Sequence, residues 1–534
     1  MGFDKQSPSN HNEGPSIQAS RLGTSLDQTS TKGFHMHTAL AELYQLLEEQ
    51  KPSCKVARHV AMQAADIFLK QFQTSGTYLG EAITLLCELA TLENPSLARI
   101  GVHGLFPLVI ERLGDAFTPA ACTIYNRLFA QVIEHCRRRP EGKALDERLR
   151  DFGLFTQADV LARASRVREF KHFDRRQTAQ VKKAFVLSRV TLGADIAVTS
   201  VALACLKQVL PTAGITLVAN TKALELFAGD PRIRLCPIEY PRGGGLVERL
   251  ASWERTAEAL QRETDGLSPA EYIVIDPDSR LTQLGLLPLV PDDRAYFFFE
   301  SRCYQAEGLG AIGALTSHWL QQTFGVTEPF YPYCAPAQSD TTAVAGILSP
   351  ADRRPVRPVV SVNLGVGANP AKRLPDPFEF RLLRRILGAG AAVILDQGGD
   401  VEEARRIAQL IAALQEEGFR TLALDRIGEN TSRPSKLAGA QLLTWHGGIG
   451  RLAALIARSD VYIGYDSAGQ HIAAALAVPT IDLFTGFTSP RMPERWAPHG
   501  RGPIQVLIFD APDTYTPTRR ETIIDQVLAL IPWG

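Results

Sequence analysis

The stretch Ala184–Asn220, AFVLSRVTLGADIAVTSVALACLKQVLPTAGITLVAN, decides the architecture. Ala184–Ser188 is a short apolar run, and a glycine-containing turn follows it. Asp195–Leu210 then carries a helical pattern, and Ile215–Ala219 is a second apolar run. Strand, helix and strand of these lengths predict a βαβ unit and a parallel sheet. Further on come another helix pattern, a polar insert at Pro241–Gly245 and a strand at Tyr272–Ile275.

A second alternation starts at Val359. Strands are expected at Val359–Leu364, Ala391–Leu395, Thr421–Leu424, Val461–Tyr465 and Thr480–Phe484. Helices are expected at Pro377–Leu387, Val401–Glu417, Gly450–Arg458 and Gly469–Ala477. The proline-rich Pro336–Pro358 reads as a linker. The expectation is therefore an α/β protein with two Rossmann-like parallel-sheet domains, at 176–335 and 359–534, facing a cleft. Ligands in such sheets sit at the carboxyl ends of the strands.

Upstream of this the period is helical. Val60, Ala64, Ile67 and Phe68 share a face, as do Val102, Leu105, Phe106, Val109 and Leu113, and Tyr125, Leu128, Phe129 and Val132. Breaks are expected at Asn94-Pro95, Gly114-Asp115 and Pro140. An all-α domain over 35–175 results, read as a scaffold, with a partner- or acceptor-docking surface as the sharper alternative. Residues 1–34 are polar and read as a disordered tail. His35 and His37, lacking further ligands nearby, read as linker.

Composition narrows the function. The chain has 534 residues, 57 Lys+Arg against 57 Asp+Glu, 45% hydrophobic and 21% charged residues, which is the profile of a globular protein. Zero net charge gives no global electrostatic case for a nucleic-acid partner. No run reaches the ~18 apolar residues of a membrane span, and no apolar signal core is evident. The eight cysteines contain no CxxC and suit reduced, buried thiols. A cytoplasmic enzyme is the expectation.

Three loops could carry chemistry. In Val461–Pro479, VYIGYDSAGQHIAAALAVP, a strand delivers Asp466 to its carboxyl end. Ser467-Ala468-Gly469 then opens a helix whose first amides suit an anion, with His471 one turn in. The alternative is a simple helix cap with a core histidine. In Gly365–Asp376, GVGANPAKRLPD, Lys372 or Arg373 could neutralise a diphosphate; a solvated turn is the alternative. In Val190–Asp195, Asp195 could take a proton from an acceptor hydroxyl, or simply favour a helix start. Asp276-Pro-Asp278 has the form of a metal-binding DxD but reads mainly as structural. No GxGxxG follows the first strand and no GxxxxGK[ST] occurs, which argues against a dinucleotide oxidoreductase and a P-loop NTPase.

In this order and spacing the segments resemble glycosyltransferase family 9, the ADP-heptose heptosyltransferases of GT-B fold, over about residues 183–510. AFVLSRVTLGAD is similar to the family's first strand and Gly-Asp turn. NPAKRLPDPFEF is similar to its Lys-x-Trp-Pro segment, and GYDSAGQHIAAALAVPTIDLFTG to its phosphate loop. The resemblance casts Asp195 as catalytic base and Lys372 as a donor-diphosphate ligand. It casts Ser467, Ala468, Gly469 and His471 as the phosphate-binding helix start, held by Asp466. Glu402 falls at the nucleoside ribose, and Trp445 and His446 at the adenine pocket.

The implied reaction is an inverting, metal-independent transfer of a sugar, heptose, from a nucleotide-diphosphate sugar to an acceptor hydroxyl. No cofactor is implied; the donor is a co-substrate, with ADP favoured. The acceptor is a glycan, a lipid or a protein, lipopolysaccharide inner core being the family's usual one. The setting is cytoplasmic or peripheral to the inner membrane. Two alternatives stand beside this: a UDP- or GDP-sugar donor, or a degenerate GT-B module with a helical domain that binds protein or self-associates. Ala194 between Gly193 and Asp195, the late Gly469, and Leu374 in place of Trp depart from the family pattern.

Overall fold

The computed structural model describes residues 39–47, 53–348, 358–367, 369–426, 439–509 and 515–533. The expected tail at 1–34 and the His35/His37 pair lie outside them.

The run from Ala184 forms β1 (Lys183–Leu187), flanked by β2 (Gly214–Ala219), β3 (Ile233–Pro237), β4 (Tyr272–Asp276) and β5 (Tyr296–Phe298) in the order β3-β2-β1-β4-β5. Every adjacent pair is parallel. The second sheet contains β6 (Val359–Asn363), β7 (Ala392–Asp396), β8 (Thr421–Ala423), β9 (Leu442–Trp445), β10 (Val461–Tyr465), β11 (Thr480–Phe484) and β12 (Ile504–Ile508). Its order is β12-β11-β10-β6-β7-β9-β8, again all parallel. In each sheet the strand order reverses beside the first strand of the domain, between β1 and β4 and between β6 and β10. Loops leaving such neighbours diverge and open a crevice.

The helix crossing from β1 to β2, Leu192–Val209, is the one span among the described residues long and apolar enough to cross a membrane, and 67% of it is buried inside the protein. Its apolarity comes from packing against sheet on one side and the helix Ile312–Phe324 on the other.

The helical region forms as the patterns predict, with Ser53, Asn94 and Thr118 accepting amide bonds at the starts of Cys54–Ser75, Pro95–Leu105 and Pro119–Arg137. It is not a self-contained body. Its core residues Val60, Phe68, Leu86 and Phe129 belong to one continuous apolar cluster with Phe185, Trp253, Val274 and Tyr296 of the first Rossmann-like domain. Arg163 Nη1 donates to Gly285 O at 2.6 Å, and Lys171 Nζ donates to Asp293 O at 2.6 Å. The turn just before the helix Pro119–Arg137 also reaches the C-terminal domain: Thr488 Oγ1 donates to Asp115 Oδ2 at 3.0 Å and Arg491 Nη1 to Phe117 O at 2.9 Å.

The stretch read as a linker needs correction. It contains the helix Gln338–Ile347, whose Val344 and Ile347 are buried in the cluster joining the two Rossmann-like domains. Arg451 Nε donates to Asp340 Oδ1 at 3.1 Å from the helix Ile449–Ile456. The joint is a packed element as well as a connection.

Candidate functional site

β6 and β10 pair in parallel, with Asn363 opposite Gly464. This is why loops a hundred residues apart meet: each leaves the same edge of the sheet at the switch point. The loop after β6 carries Lys372, and the loop after β10 carries Asp466 and Ser467. Lys372 Nζ and Asp466 Oδ2 form a direct ion pair at the cleft wall. Asp466 Oδ1 also accepts from Gln470 Nε2 at 3.0 Å.

Around this pair lies a cavity of about 990 Å³. From the first domain it is lined by Val190–Ala194, Thr221, Lys222, Glu239, Tyr240 and Arg242; from the second by Asn363, Lys372, Asp396, Glu403, Asp466–Gly469, His471, Met492 and Trp496, among others. The helix Ala468–Ala475 starts at this wall, with Ser467 in extended conformation at its N-cap position and making no side-chain bond to the helix amides. Its first unpaired amides present positive charge to the cleft.

Gly469 has a steric reason. A Cβ there would stand 2.1 Å from the Tyr462 hydroxyl, which underlies the loop. Gly193 has another, since a Cβ there would stand 3.1 Å from the His471 ring and 3.5 Å from Ala468 Cα. The two domains therefore come into close contact at the turn and the helix start that the sequence singles out. His471 is buried, and burial holds its imidazole down at about 4, so it is neutral near pH 7. Its ring meets Trp496 edge-on with centroids 6.1 Å apart.

Asp195 sits in the first π-helical turn behind this contact, 1% exposed. Ser188 Oγ donates to its Oδ2 at 2.8 Å, while the Arg189 amide and Thr199 Oγ1 donate to Oδ1 at 2.7 and 2.9 Å. Burial outweighs these bonds and pushes its carboxyl up to about 6. Its carboxylate is not part of the cleft lining; Thr191–Ala194 stand between it and the cavity.

Several other expected positions move. Glu402 points to solvent, 83% exposed and bonded to Arg405, and the lining carboxylate is its neighbour Glu403. Glu403 packs against Gly365 and Gly398, and burial with the nearby Asp396 and Asp400 raises its carboxyl. Trp445 is buried at the end of β9 and His446 is exposed; neither lines the cavity. Arg373 is held by the buried Glu379, with Nε to Oε1 2.9 Å, and is not in the cleft. Leu374 turns into the core of the second domain, and the aromatic wall of the cleft is Trp496. The DxD carboxylates are internal: Asp276 accepts from Thr282, Tyr296 and the Ser279 amide, and Asp278 pairs with Arg302.

Asp396 escaped the sequence reading although a signal existed. It ends β7 in register with Asn363 at the end of β6, so both face the same edge. Asn363 Nδ2 donates to Asp396 Oδ2 at 2.7 Å, and burial pushes the Asp396 carboxyl up to about 6.

The family model described as Glycosyltransferase family 9 (heptosyltransferase) matches residues 434–519, the segment holding Asp466–His471. No curated protein sequence matches the chain. Among solved structures, a glycosyl transferase family 9 protein from Veillonella parvula is 16% identical, with 68% of this chain and 99% of that one covered at TM-score 0.47. The E. coli ADP-heptose lps heptosyltransferase II is 17% identical over 65% and 98% at TM-score 0.43. E. coli heptosyltransferase WaaC with ADP is 14% identical over 64% and 99% at TM-score 0.41. The family match covers the loop Asp466–His471, one of the three segments on which the resemblance rests.

Proposed function

We propose that the cleft binds an ADP-linked sugar and transfers its heptose, with inversion and without a catalytic metal, to an acceptor hydroxyl. The observation that carries this reading is the Lys372–Asp466 pair set against the Ser467–Gly469 helix start. Departure of a nucleotide diphosphate delivers about two negative charges to one place. A lysine and a row of preoriented amides stabilise that charge without reorganisation. Neutral His471 adds a hydrogen bond to a phosphate oxygen without adding charge.

Asp396 and Glu403 lie further along the same wall, where carboxylates suit ribose hydroxyls, with Ile449 beside them for the base. The opposite wall, with Thr191, Lys222, Tyr240 and Arg242, takes the acceptor, a glycan, a lipid-linked sugar or a protein. Asp195 remains the proposed base. A carboxyl near 6 matches proton abstraction around neutrality, and the turn Thr191–Ala194 must yield to admit the hydroxyl. Free thiols throughout the described residues and a nucleotide-sugar donor fit a cytoplasmic setting, peripheral to the inner membrane if the acceptor is lipid-linked.

Calorimetry with ADP, GDP and UDP tests the donor: ADP is expected to bind most tightly. Preference for UDP or GDP would replace the heptose reading with another donor. Absence of all nucleotide binding would overturn the transferase reading of this cleft.

A further inference from the structure

Outside the cleft, two cysteines and a carboxylate from distant parts of the chain converge. Cys122 lies in the first turn of the helix Pro119–Arg137, and Glu300 and Cys303 lie on the turn behind β5. One ligand atom from each, Cys122 Sγ, Cys303 Sγ and a Glu300 carboxylate oxygen, all fall within 4.8 Å of one another. Cys122 is buried and the other two are half-buried. A cavity of about 300 Å³, lined by Glu300 and Cys303 with Arg168, Tyr304 and Trp319, leads to them.

We propose that Cys122, Cys303 and Glu300 form a site for a soft divalent cation, zinc, that staples the helical region to the first Rossmann-like domain. Thiolates select zinc over magnesium or calcium. At Zn–S ~2.3 Å and Zn–O ~2.1 Å, tetrahedral ligand atoms stand about 3.5–4 Å apart, so the observed cluster needs only small side-chain rotations to close. Three protein ligands leave a fourth position, which suits a water.

The surroundings fit the charge. Two thiolates and one carboxylate carry three negative charges, and a divalent cation with the Arg168 guanidinium cancels them. Arg168 Nε donates to Glu300 Oε1 at 2.8 Å and its Nη2 to Asn126 Oδ1 at 2.9 Å, which holds the carboxylate in place from the helical side. The Cys303 amide donates to Glu300 O at 3.2 Å, which closes the turn that presents both ligands. Binding replaces the thiol protons, which leave to solvent, and changes no oxidation state.

The location gives the staple a purpose. Arg495 of the C-terminal domain donates to Tyr304 O at 3.1 Å and stands 5.4 Å from the Phe117 ring, so all three parts of the molecule meet here. The site is separate from the transfer cleft, none of whose lining residues it shares.

The test is zinc titration of the reduced, chelator-treated full chain in competition with a chromophoric chelator, with cobalt as a spectroscopic substitute. One equivalent of tight zinc is expected, with a thiolate-to-cobalt charge-transfer band. Cys122→Ser and Cys303→Ser should each weaken zinc binding at least ~100-fold and Glu300→Gln about tenfold, while Cys54→Ser at an exposed position leaves it unchanged. Because the wild-type stoichiometry and cobalt spectrum need no variant, misfolding of a variant does not shield the proposal. No tight zinc, zinc held equally by Cys122→Ser, or a Cys122–Cys303 disulfide that forms in place of metal uptake would overturn it.

Discussion

Replacing Lys372 should damage nucleotide binding by more than the loss of one contact, because of what it leaves behind. Lys372 pairs with Asp466, whose side chain is only 9% exposed. In Lys372→Ala a charge-assisted hydrogen bond to the diphosphate is lost, worth about 1.5–3 kcal/mol. Asp466 then faces the incoming diphosphate without its counter-ion. Two like charges roughly 6 Å apart at an effective dielectric of ~20 repel by about 3 kcal/mol. Together these amount to about 4–6 kcal/mol, or ADP affinity reduced on the order of 10³–10⁴-fold. Lys372→Ala/Asp466→Asn removes the repulsion, so the double variant should recover roughly 100-fold of that affinity. Calorimetry with ADP reads all three proteins. Unchanged affinity in Lys372→Ala would refute the role of the lysine. A double variant that binds no better than the single one would refute the reasoning about the stranded carboxylate.

Other substitutions separate function from framework. Asp195→Asn keeps an acceptor for the Arg189 amide and Thr199 hydroxyl, so it should fold, bind ADP normally and lose transfer by at least ~100-fold. Its stability should also depend on pH differently from wild type. The folded-state carboxyl at about 6 lies above the unfolded ~3.9, so wild type loses stability as pH rises between them, by about 3 kcal/mol in all. Denaturant titrations should therefore show the variant gaining on wild type from pH 4 to 6 and holding level above; a constant difference would contradict the buried state of Asp195. Glu403→Gln should weaken ADP binding about tenfold or more while Glu402→Gln changes it less than about twofold, and the reverse result would restore the exposed residue. Gly469→Ala should weaken ADP binding or lower the melting temperature, at a cost of about 1–3 kcal/mol, with partial recovery when Tyr462→Phe removes the obstructing hydroxyl. Equal effects with and without Tyr462→Phe would dismiss that hydroxyl as the cause.

The strands at the centre of each sheet, β1, β2, β4, β6, β7, β10 and β11, are legible because they are short apolar runs bounded by turns. β3 and β12 are not, since each mixes exposed with buried residues at a sheet edge; the edge strand β8 is read, whereas β9, interior and wholly buried, is missed because it is only four residues long. β5 is only three residues long, and it packs in the core shared with the helices. That shared core is also why the helical region reads as a separate domain: periodicity shows which face of a helix is apolar but not which surface receives it. In the cleft, Asp466–His471 could be found because they follow an apolar strand directly, whereas Lys372, nine residues past β6, was separated from Arg373 only by the family resemblance. Glu402 was preferred to Glu403 for want of any local signal. The choice depends on the phase of the helix Val401–Glu416 against the sheet, which one turn of acidic residues does not reveal. Gly469 seemed displaced in sequence, and only the Tyr462 hydroxyl beneath the loop explains its place.

The most direct test of the transferase account is the structure of the full chain with ADP bound. The account predicts the diphosphate between Lys372 Nζ and the Ser467–Gly469 amides, with the ribose toward Asp396 and Glu403. Nucleotide bound elsewhere, or seated in the cleft with its phosphates away from Lys372 and the start of the helix Ala468–Ala475, would contradict it.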